Sequence, residues 1–362
     1  MGKNINKEVF LDMENYPVIS IVVPSYNVAP YIRKCIDSII NQTYPYWELL
    51  LVVGGNDGTI EICDEYEAQD KRIKSIHDNK GLVQARNVGY RHATGQWITY
   101  LDGDDWFDID TCEVLSKYIN EYKDLDIIYW RYIEELEDKT IDKWSDKSAV
   151  PFTLFNKNEC KELAIKTLIY KYGLSDGVCK LVNMEYAKKY GIFHDERLVQ
   201  GSEGVEFSLR AFYYASKALY VNRCFYHYRY VANSISKKVD ESNTKFLADC
   251  YRVIREDIDG FVMKDKFIKA FYERTTYMLM AIAMNTYFSP MNSSSLPKKI
   301  AHYSKVISNE PLFKEAINKT SWENMDIFRK IVLVLLRLHL YIFLDPIARV
   351  KHFLLKKGFY NY

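Results

Sequence analysis

The rhythm of apolar and polar positions changes along the chain. Val18–Val23 (VISIVV) is a short, continuous, β-branched apolar run, the pattern of a strand buried on both faces. Pro30 then suits a first helical turn. Ile32, Ile36, Ile39 and Ile40 recur at i, i+4, i+7 and i+8, one face of a helix that Thr43-Tyr44-Pro45 ends. A second apolar run, Leu49–Val53, leads through a Gly-rich turn into a helical stretch from Thr59 to about Asp70. Shorter strands are predicted at Arg72–Ile76, Trp97–Leu101 and Asp126–Trp130. Strands separated by helices need crossovers, so the pattern predicts an α/β, doubly wound, mainly parallel sheet. Ligands of such sheets bind beyond the carboxyl ends of the strands. That places interest on Pro24–Asn27, Gly54–Thr59, Asn79–Asn87 and Asp102–Asp105, all polar, Gly-containing or acidic.

Beyond about residue 150 the pattern lengthens to helical periods, at Lys157–Tyr172, Gly204–Ala215, Thr244–Asp259 and Phe267–Thr286. Met291–Pro297 reads as a linker. Ile327–Leu344 is strongly apolar but carries Arg337 and His339, and is too short and interrupted for a membrane span. At 362 residues and 48% hydrophobic, the chain has material for about two domains. Lys+Arg at 49 and Asp+Glu at 48 give a formal charge of +1, which argues against a nucleic-acid partner. The charge is uneven: Pro297–Tyr362 carries 12 Lys/Arg against 5 Asp/Glu, which leaves the rest of the chain at −6. Seven scattered cysteines, with no C-x-x-C pair, read as reduced thiols and not as a disulfide framework or a zinc site. The first residues lack the apolar run of a secretion signal. The expected location is therefore cytoplasmic.

The sharpest chemical signal is Leu101-Asp102-Gly103-Asp104-Asp105-Trp106, at the end of an apolar strand. In an extended chain residues i and i+2 point the same way, so Asp102 and Asp104 are expected to converge. Two converging carboxylates repel unless a cation lies between them, and a hard, oxygen-seeking ion, Mg²⁺ or Mn²⁺, fits. The bland reading is a solvated acidic turn.

Val18–Asn27, Tyr31-x₃-Cys35-x₂-Ser38-x₃-Gln42-Thr43, Asp57-Gly58-Thr59, Asn79-x-Gly81-Leu82-x₂-Ala85-Arg86-Asn87-x-Gly89, Gly95 and Leu101-Asp102-x-Asp104-Asp105-Trp106 stand in a characteristic order and spacing. Together they resemble family 2 glycosyltransferases over roughly residues 18–108, traceably to about 236 and not in the C-terminal third. The resemblance implies a GT-A (Rossmann-like) domain over 1–236, with a nucleotide-binding half at about 18–130 and an acceptor half at 131–236. A helical region, 237–362, follows. The implied activity is inverting transfer of a hexose or N-acetylhexosamine from a nucleotide diphosphate sugar, usually UDP-linked, to a hydroxyl of a lipid- or protein-linked glycan. Asp104, with Asp102, would hold the metal, and Asp102 would also contact the nucleotide. Pro24, Tyr26, Asn27 and Arg86 would line the nucleotide site. The bland readings are a core aromatic for Tyr26 and a solvated helix arginine for Arg86.

Two departures stand out. Family members usually carry two acidic residues at the end of the second strand, where this chain has Val53 and Gly54, so Asn56 or Asp57 would have to replace the nucleobase-binding acid. The family's Glu-Asp pair before a helix is here Glu203-Gly204, followed by Glu206. The expected catalytic base is Glu203, then Glu206, then Asp176; first-turn helix acids are the alternative for the first two. His227 in Tyr226-His-Tyr-Arg229 is a candidate third metal or phosphate contact and Arg229 a candidate diphosphate contact, with an ordinary structural histidine as the alternative for His227. The losses at Gly54 and Gly204 also admit a different class, a catalytically inactive partner of a glycosylation complex. In the tail, Ile331, Leu335, Leu338 and Ile342 fall at helical spacing and read as a homodimer face or internal packing. The flanking lysines Lys351, Lys356 and Lys357 read instead as peripheral contact with the inner face of the cell membrane.

Overall fold

The first apolar run forms β1 (Ile19–Tyr26), in which Ile19, Ile21, Val22 and Val23 are wholly buried. The helical periodicity after it becomes α1 (Ala29–Ile40), with Pro30 in the first turn and Ile32, Cys35, Ile36 and Ile39 packed inward. Then follow β2 (Trp47–Gly54), α2 (Thr59–Gln69), β3 (Ile73–Ile76), α3 (Leu82–His92) and β4 (Trp97–Tyr100). The computed structural model describes residues 17–78, 80–142, 150–230, 243–323 and 325–356. Asn79 of the third motif, the segment Asn233–Ser236, the expected boundary at 236/237 and Lys357 lie outside the described residues.

Strand β5 (Trp106–Phe107) precedes α4 (Thr111–Glu121), β6 (Ile127–Glu135), β7 (Thr140–Ile141) and β8 (Phe152–Asn156). Helix α5 (Lys157–Thr167), β9 (Lys180–Asn183), α6 (Met184–Tyr190), α7 (Glu203–Tyr214) and β10 (Lys217–Arg229) complete this part. The sheet runs β3-β2-β1-β4-β9-β6-β10-β5, with β7 beside β6 and β8 beside β10. β3, β2, β1 and β4 are mutually parallel, as the crossover helices require. Beyond β4 the sheet becomes mixed: β9 enters antiparallel between β4 and β6, and β10 pairs parallel with β6 but antiparallel with β5 and β8. The sheet is therefore all-parallel through β3-β2-β1-β4 and mixed beyond, where β6 and β10 form the one further parallel pair among the described strands. Every antiparallel pairing involves β5, β7, β8, β9 or β10, strands outside those that the apolar runs predict.

The described residues divide into two compact units. One contains the sheet, with the residues up to Ala164, Gly173–Val199 and Glu203–Tyr230; the other contains Ile165–Tyr172, Gln200–Ser202 and the described residues beyond Val231. The second unit is helical: α8 (Asn243–Asp259), α9 (Lys264–Ile282), α10 (Leu296–Asn309), α11 (Pro311–Lys319), α12 (Ile327–Arg337) and α13 (Leu344–Lys356). Its core is aromatic, with Tyr251, Phe271, Tyr287, Phe288 and Tyr303 each buried. The apolar stretch Ile327–Leu344 is not one helix. Asp326 caps α12 by accepting from Arg329 N at 2.8 Å, the helix stops at Arg337, and His339 turns the chain with φ 56°. Of the expected stripe, Ile331 and Leu338 are exposed and Ile342 lies past the turn, while Val332, Leu333 and Leu336 form the buried line. Among the described residues no helix is long and apolar enough to cross a membrane.

Candidate active site

The carboxyl ends of β1, β2 and β4 build one side of the site. Pro24 is buried within β1, opposite Val52 of β2, and Tyr26 at the strand's end is 59% exposed. Asn27 adopts φ 54°, a left-handed conformation that Asn tolerates, and its Oδ1 accepts from Asn56 N at 2.9 Å. Asp57 is exposed and tied into local structure. Its carboxylate accepts from Ala29 N (3.0 Å), Thr59 N (3.1 Å) and Thr59 Oγ1 (2.6 Å), which pins α2 to the start of α1. Partial burial works to raise its pKa, yet these bonds outweigh burial and hold it below the usual aspartate value. Asp57 thus has a structural task at these helix starts, and both Asn56 and Asp57 are exposed.

At the end of β4 the chain does not stay extended. Asp105 N donates to Asp102 O at 3.0 Å, so Asp102–Asp105 is a tight turn, and the alternation expected of Asp102 and Asp104 does not apply. Asp102 is part-exposed, and its Oδ1 accepts from Arg86 Nη2 at 2.9 Å. Asp104 is half-buried, and its carbonyl accepts from Arg229 Nε at 2.8 Å. Asp105, quoted in the motif but given no role from sequence, is the buried anchor. It accepts from Tyr226 OH (2.5 Å) and Arg229 N (2.7 Å), which fastens the turn to β10. Burial, then the charges of Asp104 and Asp102, push its carboxyl well above the usual range.

Arg86 joins the two halves of the site. It sits on α3, only 3% exposed, and its Nη1 lies 3.3 Å from Glu203 Oε1 while Nη2 holds Asp102. Burial alone would lower its pKa; Asp102 and Glu203 reverse that, and the guanidinium is net raised. Glu203 is the first residue of α7, after Ser202 at φ 66°. The loop at Asp176 approaches Arg86 from a third side. Asp176 O accepts from Lys180 Nζ at 2.5 Å and from Ser208 Oγ at 2.9 Å. A Cβ on Gly177 would lie 2.6 Å from Arg86 Nη1. A Cβ on Gly204 would lie 2.5 Å from Gly177 N and 2.6 Å from Ser175 O. Gly204 is therefore a packing residue: α7 reaches the 175–177 backbone only because this position has no side chain. Lys180 is buried on those carbonyls, and burial lowers its pKa to about 8.

Two of the candidate residues are engaged in ion pairs away from Arg86. Glu206 is wholly buried and ion-paired with Arg210, whose Nε donates to it at 2.6 Å and whose Nη1 holds Gly191 O at 2.7 Å. Its pairing with Arg210 one turn on braces α7 internally. His227 stacks on Trp106 (centroids 5.1 Å apart, planes 9° apart), with Nδ1 2.7 Å from Glu135 Oε1 and Nε2 2.8 Å from Asp108 Oδ1. Burial lowers its pKa, but the two carboxylates more than compensate and raise it. Both ring nitrogens thus lie at carboxylate oxygens, of Glu135 and Asp108. Arg229, by contrast, stays beside the acid turn, its guanidinium 4.7 Å from the Trp106 ring. Lys34, which no motif flagged, places Nζ 3.1 Å from the same ring centre. Burial and the charge of Arg229 lower its pKa, against Glu135.

The family description glycosyl transferase family 2 matches residues 20–191. Glycosyltransferase GlyG of Streptococcus pneumoniae serotype 4 is 30% identical over 270 residues, 69% of this chain and 85% of that protein. EpsH of Bacillus subtilis (strain 168) is 29% identical over 333 residues, 88% of this chain and 91% of that protein. Among solved structures, S. aureus TarS 1–349 in complex with UDP-GlcNAc has a TM-score of 0.65 at 18% identity, covering 92% of each chain. At that identity the likeness is one of fold, here the GT-A fold.

Proposed function

The chain belongs to glycosyltransferase family 2, and we propose that it inverts the anomeric centre while moving a hexose or N-acetylhexosamine from a UDP-sugar to a hydroxyl of a glycan acceptor. The acceptor class is a surface-polysaccharide precursor or a protein-linked glycan. One observation carries the reading: Arg86 is held between Asp102 at the strand terminus and Glu203 at the helix terminus. In this reading the ion chain holds the donor-binding turn against Glu203, a part-exposed candidate base. The UDP-GlcNAc held by TarS supports a uridine nucleotide.

Each side chain has a physical task in this reading. Exposed Tyr26 offers a face for the nucleobase, with Pro24, Asn27 and Asn56 shaping the strand ends around it. Arg229 and Lys34 supply positive charge beside the turn, where negative charge grows on the departing diphosphate. Glu203 takes the acceptor's proton as its oxygen attacks the face opposite the leaving group. Asp176, whose loop also packs near Arg86, is the reserve carboxylate. A divalent ion fits the turn on electrostatic grounds, because Asp102, Asp104 and Asp105 stand together in one tight turn, where burial first and then the two neighbouring charges raise the Asp105 pKa. Among the described residues no three metal-binding side chains converge into a ready cage. Mg²⁺ or Mn²⁺ would thus be held by Asp104 with Asp102, completed by phosphate and water. When bound, the ion neutralises diphosphate charge as a Lewis acid.

The test is a panel of nucleotide sugars incubated with the protein and Mn²⁺, with nucleotide release and thermal stabilisation measured together. UDP-selective stabilisation with UDP release is expected. Stabilisation without turnover on any acceptor would favour the inactive-partner reading, and preference for another nucleotide would remove the uridine assignment.

A further inference from the structure

Connections between helices ordinarily face water and are polar. The connection between α12 and α13 is apolar. Leu338 is 60% exposed, Ile342 52% and Phe343 51%. Helix α12 extends this surface, since Ile327, Ile331 and Val334 precede Leu338 at helical spacing and are all exposed. The helix thus has two apolar faces: Val332, Leu333 and Leu336 pack on the helical unit, and the other face meets water. Scattered exposed apolar side chains need no explanation, but a contiguous set of this kind marks an interaction surface.

Beside the turn lies a cavity of about 350 Å³ whose lining includes Lys314, Arg337 and His339 together with Ser304, Ser308 and Asn318. Its lining contains no carboxylate among the described residues. Arg337 donates to the carbonyls of Ile317 (2.9 Å), Asn318 (3.1 Å) and Thr320 (2.6 Å). Neutral acceptors hold the guanidinium in place without cancelling its charge. The apolar turn and the cationic cavity therefore share residues, Arg337 and His339 flanking Leu338.

We propose that this face of the helical unit docks on an anionic lipid bilayer, with the Leu338–Phe343 turn at the acyl boundary and a lipid phosphate at the cavity of Lys314, Arg337 and His339. Apolar side chains ringed by cations are the arrangement that binds an anionic leaflet without spanning it. Spanning has no support, because no described helix has the length and apolarity for it. A second copy of the chain fits less well. A two-fold contact sets a patch against itself, which would bring uncancelled cations towards their own copies, whereas lipid phosphates supply the opposite charge.

The experiment is co-sedimentation of the full chain with phosphatidylcholine vesicles, with and without phosphatidylglycerol. Binding is expected only with phosphatidylglycerol, and it should weaken in 1 M NaCl, where the screening length falls to about 3 Å. The double substitution Ile342→Ser, Phe343→Ser should weaken binding by about tenfold, through loss of two inserted side chains. Both positions are exposed, so the melting temperature should not move. Should the double variant misfold, Lys314→Gln provides the test by lowering only the phosphatidylglycerol-dependent binding. Equal or absent binding to the two vesicle types, or unchanged binding by a folded double variant, would overturn the proposal. So would a dimeric mass by light scattering that becomes monomeric in that variant.

Discussion

Gly204→Ala tests the packing that sets Glu203 against Arg86. In an unhindered helix the change stabilises by about 1 kcal/mol, because Ala has the higher helix propensity and the unfolded chain loses fewer conformers. At Gly204 the new Cβ would stand 2.5 Å from Gly177 N, 2.6 Å from Ser175 O and 3.0 Å from Asp176 C. All three are backbone atoms, so no rotamer change relieves them. Ordinary van der Waals contact requires a shift of about 1 Å at the tightest of them. Overpacking of this severity costs roughly 3 kcal/mol, the upper end of its usual range, which leaves a net loss of about 2 kcal/mol. For a unit of this size that is a fall of about 4–8 °C in melting temperature. The loop that moves carries Gly177, which lies against Arg86, and a misplacement near 1 Å costs about 10²-fold in turnover. The control is Gly260→Ala, where the Cβ would meet only Asp257 O at 3.5 Å and stability should stay within about 0.5 kcal/mol. Melting temperature and UDP-sugar turnover are measured for both variants. A Gly204→Ala protein that melts at or above the unsubstituted chain and keeps its turnover would refute the packing account. By the same reasoning Gly204→Asp, which restores the acid common in the family, should lose activity and not gain it.

Other outcomes follow from the same geometry. Glu203→Gln should lower turnover by about 10²–10⁴-fold with little change in donor KM. Glu206→Gln should instead cost about 2–3 kcal/mol in a denaturation curve, through the Arg210 charge left behind, with turnover of the folded protein nearly kept. Asp104→Ala should abolish transfer and the added stabilisation by UDP with Mn²⁺ while leaving the fold intact; retained activity would remove Asp104 from the metal site. His227 gains stability from Asp108 and Glu135 in its protonated form. With its folded pKa raised above the unfolded value, that contribution is complete below about pH 6.5 and is lost as pH rises through the folded pKa. The stability difference between the unsubstituted chain and His227→Gln, measured by chemical denaturation across neutral pH, should shrink as pH rises.

Several roles changed once neighbours were known. Glu203 and Glu206 are both first-turn acids of one helix, yet one faces Arg86 and the other Arg210, which comes from the following turn. Asp57 follows a strand terminus like Asp102 does, but its oxygens are taken by amides of two helix starts. Lys34 and Asp105 escaped notice because their significance is relational: a lysine on α1 matters when Trp106 lies under it, and a third aspartate matters when Tyr226 and Arg229 arrive from β10.

The linear order of residues determined what depends on near neighbours. The β-branched run made β1 and the leucine-rich apolar run β2, the isoleucine spacing made α1, and the acidic segment after β4 marked where ligand chemistry belongs. Only the tertiary structure decided which charges meet. The Asp102–Arg86–Glu203 chain draws on residues 16 and 117 positions from Arg86, and the vacancy at Gly204 acquires its purpose from a backbone segment nearly thirty residues earlier. Local periodicity reports which face of an element is apolar; it holds no record of the partner that face or charge will find across the sheet.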